Sequence, residues 1–363
     1  MLFSNTTKII VDPRSNYSYG SFYLYELRRL FGHSNVLFDI KPFRKLKDIG
    51  NDMRFIAISD SNIQTKYFIH TNDPYHISKE DYEWCDIYGC VNANYTHYPK
   101  EQYPKLKSLV PSFGIRIEES LLKVLLESCK LLLSVWPYVI SRTEWNKVTK
   151  QAQCNKWRNL KHYFSRRYKT WKNRLPYTCY NNELKSEDNY IFFLSTLWYN
   201  NEWNCNDEGV NKRRANFIRA CKSIPNIEFE GGLLADNSSS KSLFADVLAI
   251  NGEPFPQWIE KTKRSSIVFN TPAFWDCHGW KLGEYLAMGK CIISTQLSND
   301  LPYPLEHGKN IHFVENSEQA MKDAIEYIIA HPDYKHSLEQ GAREYWSQYG
   351  TPEASLKLLG IIQ

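Results

Sequence analysis

The sequence predicts an α/β protein with two domains. The chain has 363 residues, and single domains rarely grow beyond about 250 residues before a chain splits. Short apolar stretches typical of strands alternate with longer amphipathic stretches typical of helices, once from Lys8 onward and again from Tyr190 onward. This alternation is typical of parallel sheets whose strands are joined by crossover helices. We therefore expect domains over residues 1–182 and 183–345, followed by a C-terminal helical segment over residues 346–363.

The first alternation begins with an apolar strand near Lys8 to Asp12. A polar loop from Arg14 ends at Gly20, and a helix then follows with Leu24 and Leu27 on its apolar face. Further strands are predicted in one parallel sheet, at residues 36–38, 55–59, 67–70 and 86–91.

The second alternation begins with the strand Ile191 to Ser195. Near the end of the chain, Thr351 and Pro352 offer a cap and a first-turn proline, which predict a last short helix. Between these points we expect helices at residues 210–223, 242–248, 255–263 and 281–288, and strands at residues 227–229, 266–270, 291–294 and 311–314.

Composition is that of a folded globular protein, since 42% of the residues are hydrophobic and 15% are aromatic. The nine cysteines are odd in number and scattered, without the paired spacing of a zinc site or a disulfide framework. The apolar run near Lys8 is too short for the core of a signal peptide. We therefore expect a cytoplasmic protein without a metal site or other cofactor.

The stretch from Leu121 to Ile140 is the most lipid-like part of the chain. It contains Lys123, Glu127 and Lys130, whereas a membrane span needs about 20 nearly uncharged residues. We predict a buried amphipathic helix there.

A basic segment occupies residues 145–182. It has no acidic residue, and its cations, Arg167 among them, are interleaved with aromatic residues. Such a segment can lie on an anionic membrane surface, with aromatic rings at the level of the headgroups. A solvated helical face and a nucleic-acid contact are the two other interpretations.

The segment from Ser266 to Ser294 carries the most specific chemistry. It contains a strand, an irregular loop, a helix and another strand. Gly279 stands at the start of the helix, where free N–H groups form a site suited to a diphosphate. Glu284 follows about one turn later and could accept hydrogen bonds from two ribose hydroxyls, while Asp276 in the loop could reach a sugar hydroxyl of the same ligand.

This segment resembles the donor-binding region of glycosyltransferases of the GT-B fold. Many retaining members carry two glutamates separated by seven residues, followed by an Ala-Met pair, a glycine and an apolar strand. Here Asp276 and Glu284 have that spacing, and Ala287-Met288-Gly289 follow. With Leu301-Pro302-Tyr303-Pro304 after it, the stretch is also similar to exostosin-type glycosyltransferases. The resemblance implies two Rossmann-like domains, a cleft between them, and a C-terminal helix that crosses back to the first domain.

Polar residues at and after the strand at residues 67–70 include His70, Asp73 and His76, and one of them could act as base toward an acceptor hydroxyl. Asp73 is our candidate, and a turn or cap role before Pro74 is the alternative. Catalytic roles are expected for Asp73, Asp276 and His278. Donor-binding roles are expected for Gly20, Lys212, Arg214, Gly279, Trp280, Lys281 and Glu284.

These features together predict a glycosyltransferase of the hexosyltransferase class that works without a metal. The expected donor is UDP- or GDP-linked, and the expected acceptor is a glycan or lipid-linked saccharide in cell-surface polysaccharide synthesis. The basic segment suggests peripheral attachment to the inner membrane surface, and no nucleic acid is expected as partner. Two alternatives are a non-catalytic binding protein of the same fold and a nucleotide-sugar epimerase.

Overall fold

The computed structural model describes residues 3–4, 6–47, 50–140, 156–181, 186–198, 208–235 and 243–362. They divide into two units, Met1–Tyr177 with Thr351–Gln363, and Thr178–Gly350. Both units are α/β, and the last helix packs on the first helix of the N-terminal unit. The predicted fold class, two Rossmann-like domains and a C-terminal helix that returns to the first, is therefore confirmed.

The N-terminal unit is built on one six-stranded sheet with the strand order β2-β1-β3-β4-β5-β6. Its strands are β1 (Lys8–Val11), β2 (Val36–Phe38), β3 (Met53–Ile58), β4 (Gln64–His70), β5 (Ile87–Cys90) and β6 (Leu106–Ser108). Its helices are α1 (Tyr17–Phe31), α2 (Lys79–Trp84), α3 (Leu121–Ile140), α4 (Lys156–Asn173) and α10 (Pro352–Leu358).

The prediction of a fully parallel sheet was wrong for β3, which runs antiparallel to both β1 and β4. The link from β3 to β4 is a tight turn in which Ser59 N–H donates to the Ile63 carbonyl at 3.0 Å. Asn62 adopts a left-handed φ of 60° in this turn. A connection this short permits a hairpin but not a crossover, so the two strands must be antiparallel.

Helix α1 begins earlier than the sequence suggested. The Asn16 side chain caps it by accepting from the backbone N–H groups of Ser18 and Tyr19, at 3.0 and 3.3 Å. Gly20 therefore lies inside the helix, and its placement in a loop was wrong. A methyl group at Gly20 would meet the Met53 sulfur at 3.3 Å, so this glycine permits close packing of α1 on β3.

Helix α3 has the predicted bounds, but over residues 121–134 one side of it is exposed and not buried. Leucines stand exposed along it, with Leu122 at 65% and Leu133 at 71%. At about 100° per residue, the exposed leucines fall within an arc of about 140°. They are Leu121, Leu122, Leu125, Leu126 and Leu133, and we call them the leucine face. In the part of the chain that the structure describes, no helix is both long and apolar enough to cross a membrane.

The basic segment is described from residue 156 to residue 181, and the part before it, 145–155, lies outside the described residues. Helix α4 packs against α3 and α1. Arg167 is buried and its Nη1 donates to Glu118 at 2.9 Å, while the Tyr17 hydroxyl donates to the other oxygen of Glu118. Arg167 therefore holds α4 against the rest of the unit. It is not available to a surface partner, although the sequence pattern placed it among the cations of a basic surface.

The C-terminal unit contains only parallel strand pairs among its described residues. Its strands are β7 (Tyr190–Thr196), β8 (Glu228–Leu234), β9 (Ile267–Asn270), β10 (Cys291–Ser294) and β11 (His312–Phe313). Its helices are α5 (Glu208–Ser223), α6 (Phe255–Arg264), α7 (Trp280–Ala287), α8 (Glu318–Ala330) and α9 (Pro332–Tyr345), and a π-helical segment, Trp346–Gly350, follows α9. Of the helix expected at 242–248, the structure has a short 3-10 turn, Ala245–Val247, and residue 242 lies outside the described part.

Strands β7 and β9 lie side by side. Ser266 N–H donates to the Tyr190 carbonyl at 2.7 Å, and Phe192 N–H donates to the Ser265 hydroxyl at 2.9 Å. The unit thus has two parallel sheets, β7-β8 and β9-β10-β11, which adjoin along β7 and β9. Across that junction the strands follow the order β8-β7-β9-β10-β11, so the direction in which strands are added reverses between β7 and β9. At such a switch point the loops after neighbouring strands diverge, which opens a crevice at the carboxyl ends of the strands.

Candidate functional site

The carboxyl end of β9 leads into the loop that the sequence singled out. A 3-10 turn at Phe274–Asp276 is followed by Gly279 and then by α7. Gly279 has a φ of −75°, which any residue adopts, and a methyl group there would meet only Ala273, at 3.7 Å. Neither the backbone nor the packing requires glycine at this position. The start of a helix, with its N–H groups at the positive end of the helix dipole, is a place that suits an anion.

The other end of α7 is fixed by Gly289, whose φ is +60°. A Cβ atom at this position would stand 2.2 Å from Cγ of Arg343. Glycine is therefore required here both by the left-handed backbone and by the contact with α9. The turn returns the chain directly to β10, so α7 is held between two central strands.

Two cations of the predicted set converge on the end of β7. Nζ of Lys281 donates to the Leu194 carbonyl at 2.6 Å, and Nη1 of Arg214 donates to the Thr196 carbonyl at 2.8 Å. The pKa of Lys281 is lowered to about 7, mainly by burial and further by the charge of Arg214, while Glu284 opposes the shift. The structure thus brings Arg214, Lys281 and Glu284 into one electrostatic environment beside the start of α7.

Glu284 lies within α7 and is 3% exposed. Its charge acts on Lys281 and also helps to raise the pKa of Tyr285, after the larger effect of burial. A carboxylate this deeply buried stays ionised only beside positive charge or hydrogen-bond donors. The nearby cations supply part of that stabilisation, and a ligand with hydroxyl groups could supply more.

Asp276 remains accessible, with 65% of its side chain exposed, and its carboxylate lies 3.7 Å from Nη2 of Arg213. Nη2 of Arg213 also donates to the Pro272 carbonyl at 3.3 Å. Arg213 is therefore the cation nearest to the first acid, whereas the expected donor ligand Lys212 is exposed on α5. Lys212 and Arg213 are adjacent on α5 and differ in the side of the helix from which they project. The sequence does not determine which side of α5 faces the sheet.

His278 is buried, and its Nε2 lies 3.1 Å from the Asn299 carbonyl oxygen. Because a carbonyl oxygen only accepts, Nε2 must carry the proton. Burial lowers the pKa of His278 to about 4, so the ring is neutral at pH 7. Nδ2 of Asn299 in turn donates to the Asp276 carbonyl at 3.1 Å. His278 thus helps to hold the loop that carries Asp276, and its catalytic role stays a prediction.

Aromatic side chains surround this loop. The rings of Trp198 and Phe274 are stacked with centroids 6.0 Å apart, and those of Phe274 and Trp275 lie 4.6 Å apart. We call these three residues the aromatic platform. Trp280, the predicted donor contact, is the first residue of α7 and is half-buried.

The remaining candidates belong to the N-terminal unit and not to the unit that carries this loop. Asp73 is exposed in the loop after β4. His70 holds this loop, because its ring nitrogens lie 3.0 Å from an Asp52 carboxylate oxygen and 2.8 Å from the Pro74 carbonyl oxygen. Burial lowers the pKa of His70, but Asp52 and the Pro74 carbonyl outweigh it and the net shift is upward. The base role of Asp73 stays a prediction, as does donor binding by Gly20, which faces Met53.

Among the residues that the structure describes, no group of three or more His, Cys, Asp or Glu side chains is arranged to hold a metal ion. The described cysteines are free thiols. Cys154 and Cys205 lie outside the described residues.

No protein-family model matches this chain, and no curated protein matches its sequence. Several solved structures resemble it weakly. A glycosyltransferase from Rickettsia africae has 12% identity and a TM-score of 0.37, with 76% of this chain and 88% of that chain covered. HepE from Anabaena, solved with UDP-glucose, has 11% identity and a TM-score of 0.36, with 81% and 98% covered. A UDP-GlcNAc 2-epimerase from Neisseria meningitidis, solved with UDP-GlcNAc, has 15% identity and a TM-score of 0.37, with 77% and 70% covered.

At such identities and TM-scores the likeness defines neither a family nor an activity for this chain.

Proposed function

We propose that this protein is a glycosyltransferase that takes a sugar from a nucleotide-sugar and holds that donor at the carboxyl ends of β7 and β9. The observation that carries the proposal is the convergence of Lys281, Arg214 and Glu284 at the start of α7, beside the switch point of the sheet. Cations and the start of a helix suit a diphosphate, and a buried carboxylate suits the paired hydroxyls of a ribose.

The chemistry asked of these residues is mainly electrostatic. As the bond between the sugar and the diphosphate breaks, negative charge grows on the departing phosphate oxygen. Lys281, Arg214 and the N–H groups of α7 are already fixed by the fold, so they stabilise that charge without reorganising. The acceptor oxygen forms the new bond to the sugar, and its proton passes to a base, for which Asp73 is our candidate. The cations supply the positive charge, so the reaction proceeds without a metal.

The proposed donor is UDP- or GDP-linked, and the proposed acceptor is a lipid-linked saccharide or glycan destined for the cell surface. The leucine face of α3 supports this choice, because exposed leucines on one side of a helix are costly in water and mark an interaction surface. The exposed Lys169 and Lys172 lie on α4, which packs against α3. An apolar helix face in a unit that also carries exposed lysines suits the inner, anionic surface of a membrane.

Membrane attachment is tested by sedimentation with vesicles. We expect binding to vesicles containing phosphatidylserine and little binding to neutral ones. Leu122→Ser combined with Leu133→Ser should weaken it, because both side chains are largely exposed and their loss leaves the fold intact. Leu37→Ser, at an exposed leucine on β2, is the matched control. Equal binding to both kinds of vesicle, or equal binding by both variants, would contradict the attachment.

Transfer is tested by incubating the protein with UDP- and GDP-linked hexoses and a membrane lipid extract as acceptor source. We expect release of the nucleoside diphosphate together with labelled sugar in the lipid phase, at an unchanged rate in EDTA. Glu284→Gln should abolish both signals, whereas Glu344→Gln, on the exposed side of α9, should leave them unchanged. Binding without consumption would indicate a non-catalytic protein. Conversion of one nucleotide-sugar into another without acceptor would indicate an epimerase.

A further inference from the structure

The aromatic platform combines two features that packing does not explain. Trp198 and Trp275 are 41% and 39% exposed, which is high for residues that are on average well buried. Trp198 lies two residues after the end of β7, and its backbone N–H donates to the Asn211 side chain of α5 at 3.0 Å. Phe274 and Trp275 follow β9. The platform therefore stands at the switch point, beside the loop that leads to α7.

The backbone beneath Trp275 is strained. Trp275 has φ 54° and ψ 33°, and the next residue, Asp276, has φ 55°. Two consecutive left-handed residues with side chains are unfavourable, because Cβ crowds the following carbonyl. Local hydrogen bonds hold the turn, including Ala273 N–H to the Cys277 carbonyl at 2.8 Å. Strain of this kind concentrates at ligand sites.

We propose that the face of Trp275, backed by Phe274 and Trp198, is the surface on which the sugar of the donor stacks. This inference rests on the proposed function and identifies the part of the site that binds the sugar of the donor. A pyranose offers an apolar C–H face and a rim of hydroxyls. Trp275 suits the face, and the accessible carboxylate of Asp276, with Arg213 3.7 Å away, suits the rim.

The order of groups along the loop favours the sugar over the nucleobase. Gly279, at the start of α7, is four residues beyond Trp275, and Glu284 lies a further turn into the helix. If the diphosphate occupies the helix start and the ribose reaches Glu284, the nucleoside extends along α7. The sugar on the far phosphate then points back toward the platform. Trp275 accordingly contributes to sugar binding and leaves nucleotide binding unaffected.

The test compares a nucleoside diphosphate with its sugar-linked form by isothermal titration calorimetry, using the nucleotide that binds wild type. We compare the Kd of the nucleotide-sugar with the Kd of the nucleoside diphosphate. Trp275→Ala should raise the ratio of the first to the second about tenfold. The Kd for the nucleoside diphosphate alone should stay within about twofold of wild type. Trp275→Phe should keep most of the sugar contribution, because it keeps an aromatic face.

A second comparison separates this role from a structural one. Trp275→Gly relieves the left-handed strain, whereas Trp275→Ala keeps it, so the glycine variant should have the higher Tm while both lose the sugar contribution. An unchanged Kd ratio, or equal weakening of both ligands, would overturn the inference and leave the proposed function standing. If no nucleotide binds wild type, the proposed function fails and this inference fails with it.

Discussion

Lys281 lies where burial works against its charge, although its proposed task requires that charge. Its pKa is lowered to about 7 by burial and by Arg214. An incoming diphosphate would favour the ammonium form and raise the pKa in the complex. Binding of the ligand would therefore be coupled to protonation of Lys281, and this proton uptake can be measured.

Nucleotide-sugar binding should take up a proton above pH 7. Below pH 7, Lys281 is already charged in the free protein, so affinity should be nearly independent of pH there. As pH rises from 7 toward the raised pKa of the complex, affinity should fall by up to about tenfold per pH unit. Calorimetry at pH 8 in two buffers of different ionisation enthalpy measures the proton directly. Lys281→Met should abolish the uptake, and a wild-type affinity that is constant from pH 7 to 9 would contradict this account.

His278 should make the protein sensitive to mild acid. Burial lowers its pKa from 6.5 to about 4, so below pH 6.5 the unfolded chain binds a proton that the folded chain does not. Stability should therefore fall as pH drops from 6.5 to 4, by about 2 kcal/mol between pH 7 and pH 5. His278→Gln keeps an N–H donor for the Asn299 carbonyl and should remove this contribution. Urea unfolding of both proteins at pH 7 and pH 5 tests it, and identical pH dependence would show that His278 is not the titrating group.

At the scale of single elements, α7 has a glycine at each end, Gly279 and Gly289. The structure requires glycine at Gly289 but not at Gly279. Gly289→Ala introduces a Cβ into a left-handed turn and against Arg343. It should lower the free energy of unfolding by about 1 to 3 kcal/mol, measured by urea denaturation. Nucleotide affinity should change little at temperatures where the variant is folded.

Gly279→Ala should behave in the opposite way. Its φ of −75° and the 3.7 Å separation from Ala273 leave room for a methyl group, so stability should change by no more than about 0.5 kcal/mol. The methyl group would stand over the first N–H groups of α7 and should weaken nucleotide binding. If Gly279→Ala binds as wild type does, the helix start is not the diphosphate site.

Several elements could be predicted because local sequence determines them. The apolar strands before and after α7 appear as β9 and β10, and the cap at Thr351 begins α10 as expected. The direction of β3 could not be predicted, since it depends on whether a short polar stretch around Asn62 forms a tight turn. The exposure of α3 was also missed, because periodicity shows that a helix has an apolar face but not whether another element covers it.

In the candidate site, too, the features that local sequence determines could be predicted, and those that depend on tertiary packing could not. Glu284 and Lys281 follow from a helix that begins after Gly279, and the structure places Lys281 against β7, where the charge of Glu284 acts on it. The choice of Arg214 over Lys212 depends on how α5 rotates against the sheet, which only tertiary packing decides. The left-handed backbone at Trp275 and Asp276 had no sequence signal, because such strain is imposed by the surrounding fold.

At the scale of the whole molecule, the chain leaves the N-terminal unit, forms the second unit and ends back in the first. Leu356 of α10 is fully buried on the N-terminal unit, as Leu338 of α9 is in the core of the other. The final residues thus contribute to the stability of the first unit, although nearly half of the sequence, residues 178–350, separates them from the rest of that unit.

Leu356→Ala should destabilise the N-terminal unit by about 2 to 4 kcal/mol, the usual effect of removing a buried leucine side chain. Amide hydrogen exchange should accelerate in α1 and β5 and stay slow in β9 and β10. Leu338→Ala is the matched control and should have the reverse pattern. If either variant accelerates exchange equally in both units, the two do not unfold separately.

The central claim, that a nucleotide-sugar binds around Glu284, is tested most directly by thermal shift. UDP, GDP, CMP, dTDP and ADP would be added in turn to wild type and to Glu284→Ala. A ligand at 100 times its Kd stabilises the folded state by about 2.7 kcal/mol, which raises Tm by several degrees. The account predicts such a shift for UDP or GDP in wild type and its loss in the variant. No shift with any nucleotide, or an equal shift in both proteins, would contradict it.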